Sequence, residues 1–340
     1  MVTIRTIADK CGLSVAAVSK ALNGKPGISA ERAEVVRQTA RELGYCPNAA
    51  AQILKTNRSR NVGILFQNKL AHEYFSIVLE AIRDTLEEKG YDLTLLGSRS
   101  DVYEHAKHRQ CDGVIILHAN WGWENIQRLV DSDLPVVSID RLYHSRTAIV
   151  ADDVGSMEAI VHYLHGLGHT RLAFIHGEDG DVTRQRLAGF YRGCRDCGIE
   201  PPDNYIIPAR YHEPKESGQA VQALMTLKGA RPTCILFPDD TCYLGGLTAL
   251  EKMGLSVPKD VSCFGYDGIR LAEILRPKLS TYQQNAREIG TRAAEQLVSA
   301  IECPKFFAPQ IITVTGSILP GGTVRDLKKD HDNAGQDAKG

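Results

Sequence analysis

Histidines and cysteines stand at two spacings that could support metal or redox chemistry. His162, His165 and His169 follow one another at i, i+3 and i+7, so three imidazoles could meet near one face of a helix and bind a metal ion. Cys194 and Cys197 form a single CxxC inside a predicted helix, without a second cysteine pair. A lone CxxC could take part in redox chemistry or bind zinc, but its two thiols are more often buried or unreactive.

Two pairs of adjacent aspartates could supply acid and base groups. Asp152-Asp153 and Asp239-Asp240 are consecutive in sequence, so their side chains diverge instead of facing one reacting atom. The sequence contains no GxGxxG, P-loop, GxSxG or HExxH motif. We therefore predict no catalytic residue, no metal site and no cofactor, and we do not expect an enzyme.

Length and composition are those of a soluble protein with more than one domain. The 340 residues predict two or three domains, and 43% hydrophobic with 24% charged residues is an ordinary globular mixture. No run of 18 apolar residues occurs, and the N-terminus MVTIRTIADKCG lacks the apolar core of a secretory signal. Nine cysteines, an odd number, fit a reducing compartment better than a disulfide framework. The expected location is the cytoplasm.

Charge is distributed unevenly along the chain. Residues 1–60 hold ten Lys/Arg and four Asp/Glu, a net charge of +6, whereas the other 280 residues hold 30 and 37, a net charge of −7. A compact basic segment on an acidic body suggests that the basic part meets a polyanion while the body stays soluble.

The basic segment has the pattern of three short helices. Apolar residues recur at helical spacing before Gly12, Ser14 precedes a second helix, and Ser29 precedes a third. Three short helices with a glycine turn between the first two predict an all-α helix-turn-helix domain over residues 1–46. The second helix of such a unit enters the DNA major groove.

The second predicted helix turns small and apolar residues inward. The side chains that remain for DNA are Val15, Ala16, Ser19 and Lys20. Lys20 could donate to guanine O6 and N7, while Val15 and Ala16 offer only apolar contact to a thymine methyl. A three-helix bundle used for protein contact is the alternative, and the net charge of +6 favours DNA.

The next segment, residues 45–55, is rich in helix formers but short. Pro47 suits a first helical turn, and alanines follow it. An isolated helix is marginal in water even at about 12–15 residues, so we expect this segment to be disordered unless something packs on it. Lys55, Arg58 and Arg60 are suited to phosphate contacts.

From Asn61 onward, apolar strands alternate with amphipathic helices in two series. The strands include VGILF (62–66), GVIIL (113–117), PVVSID (135–140), RLAFIHG (171–177), TCILFP (233–238) and DVSCFGYD (260–267). The alternation predicts an α/β domain of two lobes, each with a doubly wound parallel sheet. Ligands of such sheets bind at the carboxyl ends of the strands, so residues that follow each strand are expected to line a cleft. Residues 326–340 are predicted to be a disordered tail.

Residues 3–59 resemble the head of a LacI/GalR-family transcriptional regulator. The pattern V-S-x-x-x-N-G…G-Y-x-P-N-A…L, from Val18 to Leu54, carries the resemblance. It implies a hinge helix and linker over 47–60, with Leu54 as a wedge that kinks DNA in the minor groove. The implied DNA contacts are Ser14, Val15, Ala16, Ser19, Lys20, Asn23, Tyr45, Asn48, Ala51, Leu54 and Lys55. The family usually has Arg at position 20, and Lys reads guanine less directionally, so a softer operator preference is expected.

Residues 61–325 resemble the periplasmic-binding-protein-like effector domain of the same family. The landmarks are RLAGF (186–190), the segment 239–267 and LSTYQQ (279–284). The resemblance implies that the chain crosses between lobes near 150, 282 and 312. The implied first lobe is 61–150 with 283–312, and the second is 151–282 with 313–325. HYLHGLGH matches the family's helix end and following loop, which favours a structural role for its histidines.

The same resemblance implies a set of effector-binding residues. They are Tyr74, Phe75, Asp140, Arg184, Asp239, Asp267 and Gln284, with Tyr211 or His212 as an aromatic wall. Trp121 or Trp123, which follow the strand at 113–117, could also stack on a ring. Carboxylates, one Arg and aromatic walls suit a sugar or polyol, and nucleosides or amino-acid-like ligands stay open.

The predicted function is a sequence-specific DNA-binding regulator, most simply a repressor, controlled by a small polar metabolite. Its expected partners are a pseudo-palindromic double-stranded DNA operator, the effector and a second copy in a homodimer, with no membrane. The alternative is a cytoplasmic small-molecule-binding module related to the sugar-capture proteins of transport systems, and the helix-turn-helix favours the regulator. Only twelve residues, Arg99–Gln110, stand where relatives carry a longer helix beside the dimer interface, so the dimer is expected to be weaker or differently arranged.

Overall fold

The computed structural model describes residues 2–45, 58–66, 72–97, 101–108, 110–117 and 123–329. The chain divides between Arg60 and Asn61 into two compact units, which are treated separately below. Among the described residues, no helix has the length and apolar character needed to cross a membrane. Residue 46 and residues 47–57 of the hinge predicted over 47–60 lie outside the described residues.

The first unit contains three helices. They are α1 (Ile4–Cys11), α2 (Val15–Leu22) and α3 (Ala30–Glu42). The Ser14 hydroxyl caps α2 by accepting from the Ala17 amide at 3.2 Å, and Ser29 caps α3 in the same way. Gly12 ends α1 with a φ of 63°, in the left-handed region that glycine adopts without strain. The predicted helix-turn-helix is confirmed.

Small and branched apolar side chains form the core of the first unit. The buried members are Ile7, Ala8, Val18, Ala21, Ala33, Val36 and Ala40. Full burial of a residue such as Val18 or Val36 contributes about 1.5–3 kcal/mol, so a few side chains hold the three helices together.

The second unit alternates strands and helices. In chain order it begins with β1 (Asn61–Phe66), α4 (Glu73–Glu88), β2 (Asp92–Leu96), α5 (Val102–His108), β3 (Gly113–Leu117), α6 (Trp123–Val130), β4 (Val136–Ile139), β5 (Thr147–Ala151), α7 (Asp153–Gly166), β6 (Leu172–His176) and α8 (Asp181–Asp196). It continues with a 3-10 turn (Asp203–Tyr205), β7 (Ile206–Pro208), α9 (Pro214–Met225), β8 (Cys234–Leu236), α10 (Asp240–Lys252), β9 (Ser262–Asp267), α11 (Arg270–Ile274), β10 (Ser280–Gln283), α12 (Ala286–Glu302), β11 (Ile311–Val314) and β12 (Ser317–Leu319).

These elements form two lobes, each built on a six-stranded sheet. The sheet of lobe 1 has the strand order β11-β5-β4-β3-β1-β2, and the sheet of lobe 2 has the order β12-β10-β9-β8-β6-β7. Among the described strands all pairings are parallel except the one between β10 and β12. Strands β3 and β4 are buried along their whole length, as expected for a parallel sheet covered on both faces. The predicted doubly wound architecture is confirmed.

The chain passes between the lobes three times. The passages are at residue 152, at 284–285 and at 315–316, where the sequence analysis placed them near 150, 282 and 312. The carboxyl ends of the strands in the two sheets therefore face a common cleft, because each lobe is entered and left along that edge.

The structure departs from the predicted tail at its start. The Leu327 amide donates to the Leu167 carbonyl at 2.9 Å, and His169 Nε2 lies 3.0 Å from the Arg325 carbonyl oxygen. Residues 326–329 thus belong to lobe 2, because backbone hydrogen bonds hold them there. The rest of the predicted tail, 330–340, lies outside the described residues.

Candidate functional site

Helix α2 presents the outward face that the sequence predicts. Val18 and Ala21 are buried, and the exposed or partly exposed residues are Val15, Ala16, Ser19 and Lys20. At 41% exposure, Val15 is a large apolar side chain left open to solvent at the first turn of the helix. Val15 and Lys20 are thus both open to solvent on the outward face of α2 and do not belong to the core of the first unit.

The other residues predicted to contact DNA have varied positions. The Ser14 hydroxyl caps the N-terminus of α2. Asn23 caps its C-terminus, and the Asn23 side-chain amide donates to the Ser19 carbonyl at 2.7 Å. Tyr45 packs against the core of the first unit. The remaining predicted contacts lie outside the described residues, and they are Asn48, Ala51, Leu54 and Lys55.

A closed cleft between lobes 1 and 2 brings most of the predicted effector residues together. It is lined by Tyr74, Phe75, Asp140, Ala151, Asp153, Val182, Arg186, Tyr211, His212, Asp239, Asp267 and Gln284. The cavity measures about 40 Å³, room for roughly three water molecules. Binding of a sugar-sized molecule therefore requires the lobes to separate or these side chains to move.

The acidic residues of the cleft follow the ends of strands. Asp140 directly follows β4, Asp239 follows β8, and Asp267 is the last residue of β9. Asp153 begins α7, two residues after β5 ends. The topology thus places carboxylates from both lobes at one edge, as the strand-end rule predicts.

Among the described residues that line the cleft, Arg186 is the one Arg or Lys. Its Nε donates to Asp153 Oδ1 at 2.7 Å, its Nη1 donates to the Pro238 carbonyl at 3.0 Å, and its guanidinium carbon lies 3.6 Å from the centre of the Tyr266 ring. Burial raises the pKa of Asp153, while Arg186 opposes that rise. A buried charge of this kind is tolerated only because it is paired and stacked.

Arg184, predicted to clamp the ligand, lies elsewhere. Its side chain is 60% exposed and bonds Asp179 and Asp181, whereas the Arg186 side chain is 7% exposed. Both residues stand on α8, where two positions apart means about 200° around the helix axis. Only one of the two can face the cleft, and Arg186 is the one that does.

Tyr211 and His212, between which the sequence left the aromatic wall open, both line the cleft. The Tyr211 hydroxyl lies 3.0 Å from Thr183 Oγ1. A Cβ at Gly177 would stand 2.0 Å from the Tyr211 ring, so only glycine lets this ring reach its position. The position of Tyr211 therefore depends on its close approach to the Gly177 backbone, which the spacing of residues in the sequence does not predict.

Asp239 fixes the position of His212. Its Oδ2 accepts from the His212 backbone amide at 2.8 Å and lies 3.2 Å from His212 Nδ1, while its Oδ1 accepts from the Cys242 amide at 2.8 Å. Burial alone would raise the pKa of Asp239, but these bonds stabilise the carboxylate and bring the pKa to about 2. Asp239 is thus an ionised helix cap that also positions a ring of the cleft.

Asp267 and Gln284 form a second fixed pair. Gln284 Nε2 donates to Asp267 Oδ1 at 2.7 Å, and both side chains are buried. Burial and the nearby Asp239 raise the pKa of Asp267 well above its usual range. The prediction that both residues line a cleft agrees with their positions beside the second passage between lobes.

Three cleft residues have strained backbones. Asp140, His212 and Asp267 have φ values of 60°, 59° and 103°, a region that non-glycine residues rarely adopt. Such conformations persist where surrounding contacts impose them, and they concentrate at functional sites. Asp140 also has a pKa of about 7, because burial and the neighbouring Asp153 disfavour its charge.

The aromatic side of the cleft comes from lobe 1. Tyr74 is 4% exposed, and within the described part of the chain its hydroxyl has no hydrogen-bond partner. Phe75 packs against His72 and His212, with ring centres 5.5 and 5.7 Å apart. A buried polar group without a partner destabilises the folded protein, so a ligand that hydrogen-bonds the Tyr74 hydroxyl would recover this free energy. The predicted Trp121 lies outside the described residues, as does the Trp123 side chain.

A second cavity of about 430 Å³ extends along the passages between lobes. Tyr74, Asp267 and Gln284 line both cavities. These three residues therefore lie between the cleft and the second cavity.

The other sequence patterns with chemical character have structural roles. His169 is buried between Thr233 Oγ1 and the Arg325 carbonyl, and its burial lowers its pKa, while His162 is exposed. Burial raises the pKa of Cys194 to about 12, which makes it an unreactive thiol. The adjacent aspartates diverge as expected: Asp240 accepts from Thr281 at 2.6 Å, away from the cleft that Asp239 lines.

Sequence reasoning missed some residues that line the cleft, and they are Ala151, Asp153, Val182 and Arg186. It also missed His72, whose ring lies 3.6 Å from that of His212, centre to centre. A usable signal existed for Arg186, which shares a helical face with the buried Phe190 and Gly193. An Arg on an apolar face needs a buried anion, and an Asp at the end of a strand is the natural supplier. For His72 the sequence holds no comparable signal.

Comparison with known proteins follows the division into a head and a two-lobed domain. Residues 3–48 match the family described as bacterial regulatory proteins of the lacI family. Residues 161–324 match a periplasmic binding protein-like domain.

Relatives match nearly the whole chain. The HTH-type transcriptional repressor PurR of Pectobacterium atrosepticum is 27% identical over 96% of this chain and 98% of its own length. The solved structure of a LacI transcriptional regulator from Bacillus cereus subsp. cytotoxis is 30% identical over 78% of this chain and 98% of that one, with a TM-score of 0.71. The lac repressor dimer bound to operator and the anti-inducer ONPF is 24% identical over 95% of this chain and 99% of that one, with a TM-score of 0.80.

Proposed function

The chain belongs to the LacI family of bacterial regulatory proteins, and we propose that it is a repressor that binds a pseudo-palindromic operator as a homodimer under control of a small polar effector. The observation that carries the proposal is the cleft between lobes, in which buried charged and aromatic side chains converge from both sides. Residues from two lobes in one site let a ligand favour one lobe arrangement over another.

The DNA-binding part of the proposal rests on α2. Its exposed residues Val15, Ala16 and Lys20 enter the major groove, and Lys20 donates to a guanine. A twofold dimer presents two such helices, so the operator has two half-sites of inverted sequence. The lac repressor, whose fold is similar, was solved as a dimer on its operator.

The effector is a small molecule rich in hydrogen-bond donors, and we favour a sugar or polyol. Asp140, Asp239 and Asp267 accept hydrogen bonds from hydroxyl groups, and Phe75 and Tyr211 contact the faces of a ring. A nucleobase or nucleoside, with ring N–H donors, is the second candidate because the same aromatic side chains stack on a flat ring.

The proposed mechanism is allosteric. Effector binding stabilises one angle between the lobes and thereby changes the separation of the two predicted hinge segments, residues 47–60, in the dimer. A segment too short to be helical by itself folds only where the DNA and its partner support it, so a small change in separation decides operator affinity. Leu54 is the proposed wedge between base steps.

Selection of a random double-stranded DNA pool on the full-length chain tests the proposal. We expect enrichment of near-palindromes, and a weaker enrichment by Lys20→Ala than by Lys10→Ala, a change on α1 of the same unit. The selection is repeated with pools of sugars, polyols, nucleobases, nucleosides and amino acids. Failure to enrich any sequence in every pool would overturn the regulator and favour the small-molecule-binding module.

The selected operator then serves to identify the effector. Operator affinity is measured with each compound for the wild type, for Asp267→Asn and for the control Asp181→Asn, whose carboxylate lies on the surface beside Arg184. We expect the response to vanish in Asp267→Asn alone, with operator affinity unchanged in the absence of compound. A sugar response supports the first candidate class, and a response to nucleobases or nucleosides replaces it with the second.

A further inference from the structure

Two histidines and one aspartate meet at the cleft, and His72 among them has no role in the function proposed above. One ligand atom from each of His72, His212 and Asp267 lies within 4.8 Å of the others, and His72 Nε2 is 4.0 Å from Asp267 Oδ2. The centres of the two imidazole rings are 3.6 Å apart. Within the part of the chain that the structure describes, this is the one such group of His, Cys, Asp or Glu side chains.

The three residues come from both lobes. His72 immediately precedes α4 in lobe 1, whereas His212 lies between β7 and α9 and Asp267 ends β9, both in lobe 2. The cluster therefore exists only when the lobes are close together. Anything that binds all three residues at once stabilises the closed arrangement.

Neighbouring groups hold these side chains in place. Asp239 Oδ2 lies 3.2 Å from His212 Nδ1 and accepts from the His212 amide, and Gln284 donates to Asp267 Oδ1 at 2.7 Å. The His72 ring packs against Phe75. Hydrogen-bonded supports behind a histidine and a carboxylate are the usual surroundings of metal ligands, since they fix ring orientation.

The charge of the cleft also favours a cation. Four carboxyl groups line it, those of Asp140, Asp153, Asp239 and Asp267, against the single guanidinium of Arg186 among the described lining residues. Arg186 is already paired with Asp153. The ionised carboxylate of Asp239, which lies beside His212, attracts a divalent cation to this place.

We propose that His72, His212 and Asp267 bind a divalent transition metal such as Zn²⁺, and that the metal ties the two lobes together. Two imidazole nitrogens and one carboxylate oxygen suit Zn²⁺, Co²⁺ or Ni²⁺, whereas Ca²⁺ and Mg²⁺ prefer oxygen ligands alone. Three protein ligands leave a coordination position open to water or to an effector atom. The metal site stands by itself, and any effect of the metal on operator affinity rests on the function proposed above.

Titration of the full-length protein with Co²⁺ and Zn²⁺ tests the site. The protein is freed of metal with a chelator, kept reduced, and titrated by calorimetry and, for Co²⁺, by absorption. We expect one site per chain and a spectrum without the near-ultraviolet band of a thiolate ligand. His72→Gln and Asp267→Asn should each weaken binding more than about 100-fold, which exceeds the usual cost of changing a residue that only supports a metal ligand. His162→Gln, at an exposed histidine of lobe 2, should bind like the wild type.

Thermal unfolding with and without Zn²⁺ tests the link between lobes. Zn²⁺ should raise the Tm of the wild type and of His162→Gln, but not that of His72→Gln, whose fold is checked by its metal-free Tm. Equal metal binding by the wild type and by the His72→Gln/His212→Gln double variant, or a thiolate band in the Co²⁺ spectrum, overturns the inference.

Operator binding measured with chelator separates this inference from the proposed function. A chain that binds its operator and answers an organic effector but fails to bind metal refutes the metal site alone. A chain that binds metal through these residues but enriches no operator in any pool refutes the regulator and leaves the metal site standing.

Discussion

Arg186 Nε donates to Asp153 Oδ1 at 2.7 Å, and both side chains are buried in lobe 2. The pair joins the first turn of α7 to α8 and forms part of the cleft wall. Tyr266 covers the guanidinium on one face, with its ring centre 3.6 Å away. Stability and the shape of the cleft therefore depend on the same contact.

We expect Arg186→Met to lower the free energy of unfolding by about 3–5 kcal/mol, because it removes the cation that is paired with the buried Asp153 carboxylate. Urea unfolding followed by circular dichroism measures the change. Arg184→Met, two residues along the same helix, should unfold like the wild type, since Arg184 bonds only surface carboxylates. Equal losses in both variants would contradict the assignment of Arg186 as the buried cation.

Tyr74→Phe should weaken effector binding while sparing stability. The Tyr74 hydroxyl is buried and has no hydrogen-bond partner within the described residues, so its removal costs the folded protein no bond. A ligand that bonds this hydroxyl loses about 0.5–1.5 kcal/mol, or roughly 2–10-fold in Kd. Calorimetric titration of the identified effector measures the loss, and Phe75→Leu serves as a control that removes aromatic contact instead. Unchanged affinity in Tyr74→Phe would show that the hydroxyl does not meet the ligand.

Stability should depend on pH through Asp140. Its pKa rises from 3.8 to about 7 in the folded protein, so the folded state binds more protons than the unfolded state between these values. The stability that the neutral carboxyl provides is complete below about pH 4 and is lost as pH rises through 7.

Asp140→Asn keeps this side chain neutral at every pH, and Asn tolerates the φ of 60°. The variant should gain stability over the wild type from pH 5 to about pH 7 and then keep a constant difference up to pH 8, measured by urea unfolding with chelator present. Parallel curves for the two proteins across this range would rule out Asp140 as the titrating group.

Lys20→Ala should reduce operator affinity by about 1–3 kcal/mol and relax specificity at one base pair. Lys20 is exposed on α2 and ends no helix, so the change should leave the fold of the first unit intact. Binding to operator variants by fluorescence anisotropy at several salt concentrations separates base reading from phosphate contact. A uniform loss across all sequences, with a shallower salt dependence, would instead make Lys20 a phosphate contact.

Local sequence was enough for the first unit. Ser14 and Ser29 cap helices where the sequence predicts, and Gly12 ends α1, because caps and turns depend on residues only a few positions apart. The alternation of strands and helices likewise predicted two parallel sheets, since buried parallel strands have a continuous apolar pattern. The strand-end rule predicted where a cleft lies, and the family resemblance assigned Asp140, Asp239 and Asp267 to it.

Tertiary structure decided which side chains turn into that cleft and which meet there. Arg184 and Arg186 are the same residue type on the same helix. Only the packing of α8 against Asp153 places the Arg186 side chain in the cleft and leaves that of Arg184 at the surface. His72 and His212 are 140 positions apart in sequence, yet their rings touch because two lobes close on one another. Sequence thus determined the helices, the sheets and the edge at which the cleft lies, since these follow from local periodicity. The contacts within the site followed only from the folded chain, because helix rotation and lobe closure depend on many distant residues at once.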